Sequence, residues 1–102
     1  MKDGRKIKFA VIGQGHIGKR HAEMVRRNPE TELIAVCDIL PKEKLGLNDL
    51  SEKFYSSHEE MLSAHPEVEV VDVCTPNGLH AQQSLFALEA NKHVVVEKPM
   101  AL

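Results

Sequence analysis

At 102 residues the chain has room for one domain, near the lower end of the size at which a single core holds a fold without disulfides or metals. Its 13 Lys plus Arg stand against 15 Asp plus Glu, a net charge of -2, which excludes the basic field that nucleic acid or an anionic membrane surface requires. No apolar run approaches the ~20 residues that span a bilayer, and the charged start Met1 to Lys6 leads straight into a short strand rather than a signal-peptide core, so a cytoplasmic protein is expected.

Short β-branched apolar runs alternate with longer segments of helical period, the pattern of βαβ units feeding a parallel sheet. Four strands are expected at Ile7 to Ile12, Leu33 to Cys37, Val68 to Cys74 and His93 to Glu97, and a fifth is set around Lys53 to Tyr55. Their near-continuous apolar character implies burial on both faces. After the first strand, Ile17, His21, Met24, Val25 and Asn28 recur at three- and four-residue spacing, which turns one face of a helix from about His16 inward. Arg26 and Arg27 suit the last turn of that helix, and Asn28-Pro29 stops it.

Pro41 to Leu50 reads as a helix interrupted by Gly46 and Asn48. Ser57 to Glu60 forms a capping box that opens a short helix through Leu62. Gly78 to Ala90 is a longer helix, with Asn77 as N-cap and Asn91 as a left-handed stop. Cys37 and Cys74, with neither CxxC nor suitable His spacing, are expected as small buried hydrophobes, and no metal site is expected. His21 is expected as a hydrogen-bonded core histidine, Asp72 has no evident partner, and His58, His65 and His93 have no constellation around them.

Gly13-Gln14-Gly15-His16-Ile17-Gly18 is a G-x-G-x-x-G that follows a strand and opens a helix. Gly13 permits the tight turn, Gly15 lets backbone approach a pyrophosphate without an intervening Cβ, and Gly18 lets the helix lie close to the sheet. N–H groups at the helix start then face the phosphates. Asp38 ends the second strand, 20 residues beyond Gly18, where a carboxylate accepts hydrogen bonds from the adenosine ribose hydroxyls. Both features together point to a dinucleotide. A carboxylate there repels a 2′-phosphate and no Arg follows it, so NAD is favoured over NADP, with Lys42 and Lys44 keeping the second open.

The expected architecture is a Rossmann-type, doubly wound parallel α/β sheet of order 3-2-1-4-5, incomplete at its C-terminal side, with ligand at the crevice between the ends of strands one and four. Thr75-Pro76-Asn77 leaves strand four there, opposite the glycine loop. Cys37 and Cys74 then flank strand one at roughly 10 Å, too far for a disulfide.

With Gly13 to Gly18, Asp38, Thr75-Pro76-Asn77 with His80, and Glu97-Lys98-Pro99 in order, the whole chain resembles the glucose-fructose oxidoreductase and inositol dehydrogenase family (Gfo/Idh/MocA). The most specific part of the match is Glu97-Lys98-Pro99. The resemblance implies hydride transfer between a nicotinamide and a carbinol or carbonyl carbon of a sugar, cyclic polyol or nucleotide-linked sugar. It implies that Lys98 is catalytic, contacting the reacting oxygen, and that Glu97 lies beside the nicotinamide ribose. Thr75, Pro76 and Asn77 would wall the nicotinamide site with His80 behind them. It further implies that residues 1–102 are the dinucleotide-binding domain of a longer, homo-oligomeric enzyme, whose substrate domain follows and without which this polypeptide is inactive. Two rivals remain: a non-catalytic dinucleotide sensor or scaffold on the same fold, and a Rossmann-like methyltransferase, against which the Glu-Lys-Pro ending counts.

Overall fold

The computed structural model describes residues 5–75 and 77–96. Strands β1 (Ile7–Ile12), β2 (Thr31–Cys37), β3 (Lys53–Tyr55), β4 (Val70–Val73) and β5 (His93–Val96) form one sheet in the order β3-β2-β1-β4-β5. Every pairing is parallel. The connecting helices are α1 (His16–Arg27), α2 (His58–Ala64) and α3 (Asn77–Glu89). The expected order and the fifth strand are both present. No described helix is long and apolar enough to cross a membrane.

Alternation along the strands divides the core in two. Val11, Leu33 and Val36 meet Ala22 and Val25 of α1 on one face. Ala10, Ile12, Ala35, Cys37, Val71 and Val73 meet Met61, Leu62 and Ala87 on the other, beneath α2 and α3. Burial on both faces is why the runs in β1, β2 and β4 read as continuously apolar. The same expectation fails for β5, where Val95 is 47% and Val96 40% exposed. That strand is the edge of the sheet, with β4 as its one neighbour among the described residues.

The β1–β2 register contains a bulge. Phe9 stands opposite Leu33 and Ala10 opposite Ala35, so Ile34 is an extra residue, and Ile34 and Ala35 both turn to the α2–α3 face.

Several local expectations are corrected. In α1 the buried residues are Gly18, Ala22 and Val25, while Met24, expected inward, is 62% exposed. Gly and Ala carry little hydrophobic signal, yet their small size lets this helix lie close to the sheet. Residues 41–50 contain no α-helix. They make a helical turn closed by a left-handed Gly46 (φ +72°), with Gly46 N–H on the Glu43 carbonyl at 3.4 Å and Leu47 N–H on the Lys42 carbonyl at 2.9 Å, followed by a second turn in which Leu50 N–H meets the Leu47 carbonyl at 3.1 Å. The first is a Schellman stop reached before the helix could propagate. β2 starts two residues earlier than expected, β4 is shorter at both ends, and α2 runs two residues past Leu62.

Asn77 is the first residue of α3 rather than its cap. At the other end Asn91 is left-handed, φ 63°, with Lys92 N–H on the Ala87 carbonyl at 3.0 Å, which is the stop the sequence implies. Ser57 caps α2 as expected, its side chain accepting from Glu60 N–H at 3.2 Å.

Candidate functional site

Three backbone bonds carry the sheet's hydrogen bonding past the strand ends into the C-terminal rim. Gly13 N–H donates to the Cys37 carbonyl (2.8 Å), Cys74 N–H to the Ile12 carbonyl (2.8 Å) and Asp38 N–H to the Tyr55 carbonyl (3.1 Å). The segments that follow β3, β2, β1 and β4 are thereby aligned along one edge, in that order.

The three glycines differ in what surrounds them. Gly13 has φ +95°, and a Cβ there would meet the Cys74 carbonyl oxygen and Thr75 Cγ2, both at 2.9 Å. At Gly18 a Cβ would stand 1.9 Å from the Gly13 carbonyl oxygen, so this glycine sets how closely α1 approaches its own turn. No described residue lies within 4 Å of a Cβ built on Gly15. Gly15 is the N-cap of α1 and offers no side-chain cap, and no acidic residue stands in the first turn. The leading N–H groups of the helix therefore lack a side-chain cap at the positive end of its dipole. His16 is exposed and Ile17 half-buried on that turn.

Asp38 does more than its position in the sequence suggested. One carboxylate oxygen accepts Gln14 N–H at 2.7 Å and the other accepts Leu40 N–H at 2.9 Å, which ties the end of β2 to the middle of the glycine loop. A carboxylate has about four acceptor positions, so roughly two remain for another donor. The Gln14 side chain is fully buried; its Nε2 donates to the Gly13 carbonyl at 2.9 Å, and its Oε1 has no hydrogen-bond partner among the described residues. Gln14 thus supports the loop from beneath.

A cleft of 770 Å³ runs along this rim, lined among others by Ser57, Asp38, Gly15, Ile17, Thr75 and Gln83. Its size is that of a small-molecule or cofactor site. Ile39 and Leu40, 78% and 48% exposed, line it beside Asp38, with the buried Leu45 near them. These apolar groups belong to no strand or helix period, and their signal in the sequence is two adjacent hydrophobes in a polar loop. At the far end, the Thr75 hydroxyl hydrogen-bonds Gln83 Oε1 of α3. Of the other expected residues, Asn77 and His80 lie in the first turn of α3, and Pro76, Glu97 and Lys98 lie outside the described residues.

Asp72 finds the partner that the sequence could not name. Its buried carboxylate takes His21 Nδ1–H at 2.5 Å and the Cys74 thiol at 3.4 Å. His65 also has neighbours, the Tyr55 hydroxyl at 2.8 Å and Glu67 at 3.0 Å, and His58 meets Phe86 edge-on. Cys37 and Cys74 face opposite sides of the sheet, in different core clusters. Burial, with the Asp38 charge second, pushes the Cys37 thiol up to about 12, which keeps it protonated and inert.

Parallel strands of this order, a glycine turn opening onto a helix N-terminus and an acidic residue after β2 define a doubly wound dinucleotide-binding domain. Residues 7–102 match the model of the GFO_IDH_MocA oxidoreductase family with NAD-binding Rossmann fold, and the chain belongs to that family. It is 36% identical over 101 residues to the D-glucoside 3-dehydrogenase of Escherichia coli, covering 94% of this chain and 28% of that protein. It is 34% identical to the myo-inositol 2-dehydrogenase of Thermotoga maritima, covering 94% and 29%. Among solved structures, the WlbA dehydrogenase of Chromobacterium violaceum in complex with NADH and UDP-GlcNAcA matches with TM-score 0.81 and 39% identity, over 95% of this chain and 28% of that one. The chain spans less than a third of the length of each of these proteins.

Proposed function

We propose that the chain binds NAD along the C-terminal rim, and that residues 1–102 are the cofactor half of a longer dehydrogenase or reductase acting on a sugar, cyclic polyol or nucleotide-linked sugar. The observation that carries this reading is the opening at Gly15. A Cβ built there would meet no described residue within 4 Å, the helix start has no side-chain cap, and a fixed carboxylate ties the middle of the loop to the end of β2. A diphosphate fits that cradle and a ribose fits the carboxylate.

In this reading Gly13, Gln14 and Gly18 shape the turn, and the N–H groups of His16 and Ile17 receive the diphosphate. Asp38 accepts the adenosine ribose hydroxyls with its remaining lone pairs, and its charge disfavours a 2′-phosphate. Thr75, Pro76, Asn77 and His80 border the nicotinamide, which when bound supplies the hydride acceptor or donor. Glu97 accepts from the adjoining ribose. Lys98 is the catalytic group: its ammonium stabilises the alkoxide-like charge that develops on the reacting oxygen and exchanges its proton there. The glucoside and inositol dehydrogenases among the relatives support the polyol class, and the longer protein is expected to be a homo-oligomer.

Calorimetric titration of the chain with NAD, NADP and S-adenosylmethionine tests the ligand class, with NAD expected to bind tightest. Binding of S-adenosylmethionine alone would overturn the assignment. In the longer protein, Lys98→Ala is expected to cut turnover by orders of magnitude with NAD affinity nearly unchanged. Unaltered turnover would remove the lysine from the chemistry, and a longer protein that binds NAD with no turnover at all would be a sensor or scaffold.

A further inference from the structure

His21, Asp72 and Cys74 sit on the α1 side of the sheet, and their ligand-type atoms lie within 4.8 Å of one another. A soft cation would accept such donors, but they already satisfy one another: Asp72 takes His21 Nδ1–H on one oxygen and the Cys74 thiol on the other. The arrangement is complete without an ion. What it joins is more informative. His21 belongs to α1, Asp72 lies inside β4, and Cys74 begins the turn that leaves β4 for α3.

These contacts close a ring. The Cys74 carbonyl and the Thr75 methyl lie against Gly13, and the Gly13 carbonyl lies against Gly18 of α1. From Gly18 the helix leads one turn on to His21, which returns through Asp72 to Cys74. The His21–Asp72 pair is a polar link between helix and sheet in this ring, and Asp72 has only 6% of its side chain exposed. A charge-assisted bond in so little water is short and directional. Thr75 lines the cleft at the end away from Asp38, so the wall at that end is held by this link rather than by its own backbone alone.

We propose that His21 is a positioning residue: through Asp72 and Cys74 it fixes the turn after β4 against the glycine loop, and so sets the affinity for the nicotinamide half of the dinucleotide. This rests on the NAD reading given above. The adenosine half depends on Asp38 and on the Gly15 cradle, which the link does not touch. The two halves of the ligand should therefore respond differently when it is removed.

The test is calorimetry of the 102-residue chain with two probes, NAD and ADP, the second carrying the adenosine and diphosphate but no nicotinamide. Replacing both partners by apolar groups, His21→Leu with Asp72→Val, avoids leaving a buried carboxylate alone. His21→Gln serves as a second variant should that pair fail to fold. The expected result is NAD binding weakened at least five-fold, ADP binding changed less than two-fold, and a cooperative thermal transition retained. A lower transition temperature with both affinities intact would reduce the link to a fold support and overturn the proposal. An equal loss for both ligands would move the effect to the shared glycine loop and overturn it as well. Failure of the unaltered chain to bind NAD would be a different result, since it removes the cofactor reading itself.

Discussion

The segments that follow β1 and β2 leave the same rim of the sheet and are built in opposite ways. After β1, each glycine of the 13–18 turn is committed: Gly13 is closed in by Cys74 and Thr75, Gly18 rests on the Gly13 carbonyl, and only Gly15 faces space. After β2, Asp38 is pinned, but Ile39 and Leu40 stand exposed and the chain makes only two short turns up to Leu50. A binding rim needs both kinds. The first holds backbone donors in place without reorganisation, and the second offers an apolar wall that can adapt to a ring.

The largest expected effect lies where there is no slack. Gly18→Ala would place a Cβ 1.9 Å from a backbone oxygen, and urea denaturation should show a loss of about 3 kcal/mol, the upper end of overpacking costs. Gly46→Ala, on the looser side, has only Lys19 Nζ within reach at 3.9 Å and a φ of +72° to accommodate, so about 1 kcal/mol is expected. Equal costs would erase the contrast between the two segments.

Asp38→Ala joins the regions, because it strips Gln14 N–H of its acceptor in the loop. A loss of about 2 kcal/mol is expected from the unpaired donor, together with a weaker preference for NAD over NADP in the titrations. Ile39→Ser, at a site 78% exposed, should change stability by no more than about 0.5 kcal/mol. A larger loss would mean that the post-β2 segment is packed more firmly than its exposure indicates.

The smallest effect concerns Cys37, beneath the junction. Its folded pKa is raised to about 12 from 9.0, so its contribution to stability is present below pH 9.0 and is lost as the pH rises from there towards about 12. At pH 8 mass spectrometry should find Cys37 unmodified by iodoacetamide until the chain is unfolded. Rapid labelling of the folded chain would show that the rim opens.

Much of this fold was legible because its signals are local. Strand runs, the Ser57 cap, the Asn91 stop and the strand-glycine-helix order each act within a few residues, through φ/ψ preference and side-chain period. Met24 was expected inward because it is apolar, whereas the buried stripe of α1 consists largely of Gly18 and Ala22, chosen for smallness. Gly46 was expected to interrupt a helix and instead closes its first turn.

The sequence by itself determined the class of fold, the strand order and the placing of Gly13, Gly15, Gly18 and Asp38 on one rim, since alternation and turn chemistry are written in neighbouring residues. Only the tertiary structure decided that Ile34 would be the extra residue of a bulge, that Asp38 would hold Gln14, and that Asp72 would meet His21 from 51 residues away. A buried polar group must find a partner, but which one depends on where distant segments come to rest. That information exists only once the chain has closed on itself.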